Sequence, residues 1–357
     1  MQPTKIVDLF AGPGGLDVAA EKLGVPAVGI EWDSSACTTR RAAGLETAEG
    51  DVRLYGPSDF PEADVLAGGP PCQTFTVAGT GAGRRALDDV LRFVDRLVAR
   101  EDREEIEKDL AKLDDERTGL VLQPLMWALD AIDKLDRPYR AIVLEQVPAV
   151  LPVWKAYAKA LIEEGYQVDC GILHTEAFGV PQTRRRAVLI ARYGKDPVSL
   201  PSATHRIYRK GVARDSGDPT LLPWQTMADV VSRPTDAFEV ISNYGTGGDP
   251  KARGRRRSAE PSATVTGKIS RNRVVGLDGS ELDRFSSSEA GRLQTFPTNY
   301  PWSGRDVGQQ IGNAVPPRLA MHILSAAFGW ASPSEDKLQG LDTWTVRQPV
   351  EEASPTN

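Results

Sequence analysis

Cysteine and histidine are scarce in this 357-residue chain, which contains three of each. The cysteines, Cys37, Cys72 and Cys170, are widely spaced and odd in number, so we expect no disulfide framework. Few thiols without a pairing pattern favour a reducing, cytoplasmic setting. With three histidines and no CxxC pair, the sequence also lacks the usual ligand sets of a zinc site, and we expect no bound metal.

Long hydrophobic runs are also missing. No apolar stretch approaches the roughly 20 residues that a membrane helix needs, and a strand pattern begins at residue 5, so we expect neither a membrane span nor a signal peptide. The composition, 40% hydrophobic and 26% charged, is typical of a globular protein, which we expect to be a monomer of about two domains. The net charge of −6 argues against nucleic-acid binding by the whole surface, although it hides local patches.

Strand and helix patterns alternate along much of the chain. Strands are predicted in KIVDLF, AVGIEWD and DVLAGG within the first 75 residues, and helices lie between them. The rhythm resumes from residue 120 to residue 193. Alternation of this kind predicts an α/β fold with a parallel sheet.

Residues 86–117 interrupt this rhythm with apolar residues at helical spacing and a heavily charged opposite face. We interpret this stretch as a solvated helix or helical hairpin inserted at a loop, with a partner-binding arm as the alternative.

Residues 194–285 are rich in Pro, Gly, Ser, Thr and Arg, and residues 251–273 contain eight basic residues against one acidic residue. The tail, residues 333–357, has a polar composition that predicts disorder.

A glycine-rich turn, FAGPGG, follows the first strand and opens the first helix, which leaves a helix N-terminus for a ligand. Glu31 ends the second strand, where a carboxylate can accept hydrogen bonds from both ribose hydroxyls of a nucleoside. Trp32 offers a flat face for a purine, and Asp51 a hydrogen bond for an adenine amine. The turn lacks the Lys-Ser/Thr of a phosphate loop, which disfavours ATP hydrolysis. A tight turn with no ligand is the alternative.

Three further motifs carry candidate chemistry. Cys72 follows two prolines on the loop after the third strand, where α/β enzymes bind their ligands, although most lone cysteines are inert. Glu145 ends the strand AIVL and belongs to the same sheet edge, although such an acid is often only a helix cap. In VPQTRRR, the alternation of side chains along a strand would place Gln182, Arg184 and Arg186 on one face. These side chains would form either a solvated surface cluster or a group that binds phosphate and base oxygens.

Taken together, these motifs make the chain resemble the DNA (cytosine-5)-methyltransferases that use S-adenosylmethionine. The matching segments, spread in the family's order from residue 8 to residue 317, are DLFAGPGG, EWD, GDV, GGPPCQTF, LEQV, FGVPQTRRR, RLQTFP and GNAVPP. The resemblance implies a Rossmann-like class I methyltransferase sheet with a smaller, irregular target-recognition domain. It implies a catalytic domain of residues 1–193 completed by residues 304–332, and a target-recognition domain of residues 194–303.

The resemblance also implies roles for individual residues. Cys72 would bond covalently to C6 of a cytosine flipped out of double-stranded DNA, and Glu145 would contact N3 and the exocyclic amine. Arg186 would contact O2 of the base, and Arg184 would hold the backbone around Cys72. The implied S-adenosylmethionine site consists of Phe10, Ala11, Gly12, Gly14, Gly15, Leu16, Glu31, Trp32, Asp51, Val52, Pro70, Asn313 and Val315. The implied DNA contacts are Gln73, Gln182, Arg255, Arg256, Arg257, Lys268, Arg271 and Arg273.

One residue departs from the family pattern, because Gln146 stands where the family usually has Asn after the catalytic glutamate. We expect a DNA methylase of a bacterium or of a phage-infected cell, either part of a restriction-modification system or without a paired nuclease. A tRNA cytosine-5 methyltransferase and a DNA-binding relative with weak or no activity are the alternatives. The sizeable basic segment favours duplex DNA over tRNA, and the intact set of Cys72, Glu145 and Arg186 favours an enzyme.

Overall fold

A seven-stranded sheet is the centre of the larger part of the molecule. The computed structural model describes residues 4–71, 82–113, 115, 117–233, 237–245 and 253–346. The sheet has the order β3-β2-β1-β4-β5-β7-β6, and all its pairings are parallel except those of β7 with β5 and β6. Its strands are β1 (Ile6–Leu9), β2 (Ala27–Glu31), β3 (Glu46–Glu49), β4 (Val65–Gly68), β5 (Ala141–Gln146), β6 (Tyr166–His174) and β7 (Arg185–Tyr193). The expected α/β class is confirmed.

Strand β6 is absent from the sequence prediction. It lies at the edge of the sheet, and its central residues Asp169, Cys170 and Gly171 interrupt the apolar pattern that marks a buried strand. The antiparallel strand β7 is buried along its middle and was predicted from its apolar run. The pairing of β7 with both neighbours makes the sheet mixed where alternation had predicted parallel strands.

Helices cover both faces of this sheet. Alternate residues of the buried strands enter different hydrophobic clusters, Val7 and Leu9 on one face and Ile6 on the other. The helices of the first part of the chain are α1 (Gly15–Leu23), α2 (Ser34–Ala42), α3 (Ala82–Val98), α4 (Arg103–Leu110), α5 (Arg117–Leu120), α6 (Gln123–Asp133) and α7 (Leu151–Glu163). Cluster membership places α3, α6 and α7 on the face of Val7, and α1 on the face of Ile6.

The charged stretch at 86–117 forms helices, as its periodicity predicts. The apolar face of α3 is buried through Val90, Phe93, Val94 and Leu97, and α4 adds Ile106. These side chains belong to the hydrophobic cluster that also contains α6 and α7. Because α3 packs on the body of the protein, the described part of this stretch is a layer of the fold and does not form a detached arm.

A second, antiparallel sheet lies in the region that the sequence predicted to be irregular. Its order is β11-β10-β8-β9, and its strands are β8 (Phe238–Gly245), β9 (Arg253–Arg257), β10 (Arg273–Gly276) and β11 (Glu281–Leu282). Strand β9 escapes prediction because RGRRR has no apolar residue and lies at an edge. Residues 195–233 contain no helix or strand beyond isolated bridges, as expected.

The last helices return the chain to the first sheet. They are α8 (Ser287–Leu293), α9 (Val307–Asn313), α10 (Pro317–Phe328) and α11 (Glu335–Gln339), and α10 packs on α1, β5 and β7. The prediction of disorder from residue 333 is wrong for residues 333–346, because Leu338, Leu341 and Trp344 are buried in the cluster on the α1 face. The rest of the tail lies outside the described residues. The division into domains of 1–193, 194–303 and 304–332 stays a prediction.

Candidate active site

A cavity of about 610 Å³ opens at the carboxyl ends of β1, β2, β4 and β5. This is the edge at which open α/β sheets bind ligands. Most predicted site residues line it: Phe10, Ala11, Gly12, Gly15, Leu16, Glu31, Trp32, Asp51, Val52, Glu145, Arg184, Arg186, Asn313 and Val315. Gly14 and Pro70 lie beside it without lining it, although Pro71 does. Cys72 and Gln73 lie outside the described residues. The structure thus brings most of the predicted cofactor residues to one cavity, together with Glu145, Arg184 and Arg186.

The glycine turn shapes one wall of the cavity. Phe10, Gly12 and Gly14 have positive φ angles of 62°, 55° and 101°, so the chain reverses sharply between β1 and α1. Such angles favour glycine, and Phe10 is the unusual residue among them. A Cβ atom at Gly12 would meet no neighbouring atom, whereas one at Gly15 would overlap the carbonyl of Val315. The left-handed backbone at Gly12 and the close packing at Gly15 explain why glycine suits both positions.

Glu31 organises this turn through its carboxylate. One oxygen accepts from the amide of Gly12 at 2.7 Å, and the other accepts from the amides of Trp32 and Asp33 at 2.9 and 2.8 Å. Burial raises the pKa of Glu31, and the three amides act in the opposite direction. A carboxylate offers about four acceptor sites, so the oxygen bonded to Gly12 retains capacity for another donor. The predicted bonds to both ribose hydroxyls would compete with these backbone amides.

Trp32 and Asp51, the other candidates for nucleoside binding, differ in whether their side chains already have a partner among the described residues. The ring of Trp32 is 72% exposed and borders the cavity. The carboxylate of Asp51 is held by Arg53, with 2.6 Å between Oδ2 and Nη2, and this pairing lowers the pKa of Asp51. A ligand amine at Asp51 would therefore share the carboxylate with a guanidinium.

Glu145 and Arg186 meet at the catalytic edge of the cavity. Glu145 is the last residue but one of β5, and Arg186 is the second residue of the antiparallel neighbour β7. Glu145 pairs with Val188, which lies two residues from Arg186 on the same face of the sheet, so the side chains of Glu145 and Arg186 are diagonal neighbours. The Nε atom of Arg186 lies 2.6 Å from Oε1 of Glu145, and both side chains are about nine-tenths buried. The next residue of β5, Gln146, donates from its side-chain amide to the carbonyl of Pro70. Pro70 stands two residues before Cys72 in the sequence, so Gln146 holds the chain just before the cysteine.

Gln182 and Arg184 lie in a buried polar network. The amide nitrogen of Gln182 donates to the carbonyl of Leu293 at 2.9 Å and to Oε1 of Gln294 at 2.5 Å, and its oxygen accepts from the amide of Val265 at 3.0 Å. Gln182 is fully buried. This placement argues against the predicted DNA contact of Gln182. Its neighbours on the strand pattern, Arg184 and Arg186, do reach the cavity.

Arg184 connects three parts of the chain. Its guanidinium donates to the carbonyl of Val265 at 2.8 Å and to that of Gly312 at 2.9 Å. Val265 belongs to the region of the second sheet, and Gly312 belongs to α9, which leads to Asn313 and Val315 at the cavity. The predicted support of the Cys72 backbone involves residues that are not described. The observed bonds make Arg184 a link between the second sheet and the cavity wall.

The basic segment is partly neutralised in three dimensions. Arg255 pairs with Glu239 at 2.5 Å, Arg273 pairs with Glu281, and Arg256 lies 3.6 Å from Glu260 and over the ring of Tyr208. Glu239 and Glu281 lie outside residues 251–273, so counting charge along the sequence overstated the free positive charge. The remaining predicted DNA contacts, which are all exposed, are Arg257, Lys268 and Arg271.

The cavity also contains side chains that the sequence analysis missed. They include Asp8, Arg53, Arg117, Leu120 and Gln309. A carboxylate within the apolar strand β1 was a usable signal for Asp8, whose pKa is raised well above its ordinary value by burial and by the nearby Asp17. The segment RTGL directly follows the charged insertion, and its sequence gave no sign that it returns to the cavity.

The described part of the chain offers neither a cluster of metal ligands nor a membrane-spanning helix. Its residues include no group of three or more His, Cys, Asp and Glu side chains placed to hold a metal ion. Within the same residues, every helix is too short or too polar to cross a bilayer.

This chain is similar in sequence to known methyltransferases along most of its length. The type II methyltransferase M1.HphI of Haemophilus parahaemolyticus is 26% identical over 355 residues, which cover 90% of this chain and 86% of that protein. The type II methyltransferase M.PspPI of Psychrobacter sp. strain TA137 is 29% identical over 338 residues, covering 89% of this chain and 77% of that protein.

Solved structures show the same fold at low sequence identity. The Entamoeba histolytica methyltransferase EhMeth superposes with a TM-score of 0.62 at 14% identity, covering 92% of this chain and 99% of that one. The S. pombe Dnmt2 methyltransferase gives a TM-score of 0.59 at 16% identity, covering 91% and 98%. A model of the C-5 cytosine-specific DNA methylase family matches residues 4–93 and 125–328. The motifs of this chain resemble that family, and many of their residues line one cavity. The chain therefore belongs to the C-5 cytosine-specific DNA methylases.

Proposed function

We propose that this protein transfers a methyl group from S-adenosylmethionine to C5 of cytosine in a specific sequence of double-stranded DNA. The observation that carries the proposal is the position of Glu145 and Arg186. They lie in the same cavity as the glycine turn, and Pro71, the residue before Cys72, lines that cavity too. The proposed cofactor site and the proposed pyrimidine-binding pair therefore share one cavity, and Cys72, the proposed nucleophile, directly follows the lining residue Pro71 in the sequence.

The first part of the cavity fits a nucleoside without phosphates. Gly12 leaves open space, Glu31 keeps an acceptor site for a ribose hydroxyl, and the exposed face of Trp32 suits a purine. A volume of about 610 Å³ is in the range of sites for ligands of this size. S-adenosylmethionine, when bound, supplies an electrophilic methyl group on a sulfonium. Asn313 and Val315 close the site from the C-terminal part of the chain.

The catalytic residues act on the base. Cytosine C5 is a poor nucleophile, and addition of the Cys72 thiolate to C6 makes it enamine-like. Glu145 gives N3 a proton or hydrogen bond and contacts the exocyclic amine, which makes C6 electrophilic, and Arg186 binds O2. C5 then takes the methyl group, loses its proton to a base, and the C6–sulfur bond breaks to release the thiolate. Since the ring must be attacked from its face, the base leaves the helix stack at a cost of a few kcal/mol.

The second sheet and its surroundings supply the DNA contacts. The exposed side chains of Arg257, Lys268 and Arg271 suit phosphate oxygens, and the paired Arg255, Arg256 and Arg273 are positioned by neighbouring acids for base edges or backbone. The type II methyltransferase names of the relatives support a role in restriction and modification. We therefore assign sequence recognition to the region of residues 194–303.

A covalent trap tests this reaction. Wild-type protein should form an adduct with duplex DNA that carries 5-fluorocytosine at the target, because fluorine blocks the final elimination. Cys72→Ala should lose the adduct and all transfer of labelled methyl groups to DNA while it still binds the cofactor. Bisulfite sequencing of DNA from expressing cells would give the recognised sequence. Turnover by Cys72→Ala would refute the covalent mechanism. Methyl transfer to tRNA in place of DNA would refute the proposal that DNA is the substrate.

A further inference from the structure

The residues after the family match form an ordered segment of their own. The match ends at residue 328, and residues 334–346, here called the C-terminal strap, contain α11 and continue as a short turn. The buried side chains of Leu338, Leu341 and Trp344 attach the strap to the cluster on the α1 face. The strap therefore belongs to the folded body although it lies beyond the family pattern.

Trp344 fixes the end of the strap. Its indole N–H donates to the carbonyl of Ala43 at 2.9 Å, and its backbone amide and carbonyl both bond the side chain of Asn299, at 2.7 and 2.8 Å. Lys22 of α1 donates to the carbonyl of Thr343 at 2.8 Å. The strap is thus hydrogen-bonded both to the first helices and to the loop after α8.

That loop carries Tyr300, which connects the strap to the cofactor cavity. The ring of Trp344 meets the ring of Tyr300 edge-on, with 5.8 Å between centroids and 69° between planes. The ring centroids of Phe296 and Trp302 each lie 4.9 Å from the ring centroid of Tyr300. The hydroxyl of Tyr300 is buried and donates to the carbonyl of Pro13 at 2.5 Å. Pro13 lies in the glycine turn and lines the cavity.

We propose that the C-terminal strap positions the cofactor turn through Tyr300. Neither Tyr300 nor Trp344 lines the cavity, so both are positioning residues and touch no ligand. The backbone at Gly12 and Gly14 is in the left-handed region, where glycine is flexible and an external bond restricts it most. Without the hydroxyl of Tyr300, the buried carbonyl of Pro13 loses a partner, and the turn samples geometries that bind the cofactor less well. The expected effect on the affinity for S-adenosylmethionine rests on the proposed function.

The variant Tyr300→Phe removes the bond to Pro13 and keeps the ring that contacts Trp344. We expect the dissociation constant for S-adenosylmethionine to rise by about three- to tenfold, which corresponds to the loss of one neutral hydrogen bond. The KM for the cofactor should rise in parallel, and kcat at saturating cofactor should be unchanged. Truncation after Pro333 should have a larger effect of the same kind. Val346→Ala, a change at an exposed residue of the strap, is the matched control and should match wild type.

Hydrogen–deuterium exchange of the cofactor-free protein gives a readout that needs no ligand. Exchange should accelerate in peptides covering residues 11–16 in Tyr300→Phe and in the truncated chain, and binding of target DNA should be unaltered. Unchanged exchange and unchanged cofactor affinity in both variants would overturn the proposal. Parallel losses of DNA binding and cofactor binding would also overturn it, because they indicate general destabilisation. Wild-type protein that binds no S-adenosylmethionine would refute the proposed cofactor, while exchange would still test the role of the strap.

Discussion

Arg186 and Glu145 form an ion pair at the wall of the cavity, with 2.6 Å between Nε and Oε1. Both side chains are largely withdrawn from water, so each charge depends on the other for compensation. The adjacent strands β5 and β7 place them at one edge of the sheet. In the proposed reaction these two groups contact neighbouring atoms of the same pyrimidine ring. The pair therefore holds both groups in place before the base arrives.

Replacing Arg186 by lysine tests this arrangement. Lysine keeps the charge but cannot offer the planar fork of an arginine, so it cannot hold Glu145 and a base oxygen together. We expect kcat/KM for DNA to fall by about a hundredfold, in the range found when one preorganised donor is removed. The affinity for S-adenosylmethionine should stay within twofold of wild type. Steady-state methyl transfer with labelled cofactor measures the first quantity, and titration calorimetry the second.

The control for this variant is Arg185→Lys, the same change at the exposed neighbour on β7. It should leave both quantities unchanged. Equal activity of Arg186→Lys and Arg185→Lys would contradict the role assigned to Arg186.

Gln146 should affect the chemical step through the loop that carries Cys72. Its amide donates to the carbonyl of Pro70, and its oxygen accepts from the amide of Val147 at 2.5 Å. Gln146→Ala removes both bonds, and we expect the single-turnover rate to fall by about tenfold, which corresponds to one or two neutral hydrogen bonds. Rapid-quench measurement of methyl transfer at saturating DNA and cofactor gives this rate. A rate equal to wild type would show that Pro70 is held without Gln146.

Gln294 should be important for stability. It is fully buried, bonds Gln182, and donates to the carbonyl of Ile311 at 2.7 Å. Gln294→Leu removes one bond of Gln182 and leaves the carbonyl of Ile311 without this donor, and we expect the free energy of unfolding to fall by about 1–3 kcal/mol. Urea denaturation followed by circular dichroism measures this change. Gln167→Leu, at an exposed position of β6, should cost less than about 1 kcal/mol, and an equal loss in both variants would contradict the network.

Two buried histidines should make the protein sensitive to acid. Burial, with the nearby Arg318, lowers the pKa of His205 and of His322 to about 4. The unfolded chain titrates near pH 6.5 and therefore binds more protons than the folded chain between pH 6.5 and pH 4. Stability is then complete above pH 6.5 and falls as the pH decreases towards 4, by at most roughly 3 kcal/mol for each histidine.

His322→Leu isolates one of these contributions. Neither ring nitrogen of His322 has a hydrogen-bond partner among the described residues, so the substitution removes a titrating group without breaking a bond. The difference in unfolding free energy between pH 7 and pH 5 should become smaller than in wild type. His174→Leu, at a partly exposed histidine, should leave that difference closer to the wild-type value. An unchanged pH dependence in His322→Leu would contradict the buried, neutral state.

The cavity could be predicted where its residues follow strands of one sheet. Glu31 and Glu145 lie at the carboxyl ends of two strands that the apolar pattern reveals, as the last residue of β2 and the last but one of β5, and parallel strands bring these ends to one edge. The glycine turn was predictable for the same reason, since its position after β1 is local. Arg117 escaped prediction because it enters the cavity after a helical insertion whose path is set by packing of α3 on α7.

Whether a side chain can contact a ligand was harder to predict from the sequence than where that side chain lies. Alternation along a strand grouped Gln182 with Arg184 and Arg186, but the bonds of Gln182 to Val265 and Gln294 make it part of the interior. Partners from 83 and 112 residues away along the chain decide this outcome. Such pairings depend on how distant segments pack, and no local pattern records them.

The order of the motifs, the α/β architecture and the identity of the chemical groups can all be read from the sequence, because strand periodicity and turn geometry act over a few residues. Three features depend on the folded molecule: which arginines have acidic partners, which glutamine is buried, and that Tyr300 contacts both Trp344 and Pro13. Hydrogen bonds and ion pairs form between atoms that are close in space, whatever their separation along the chain.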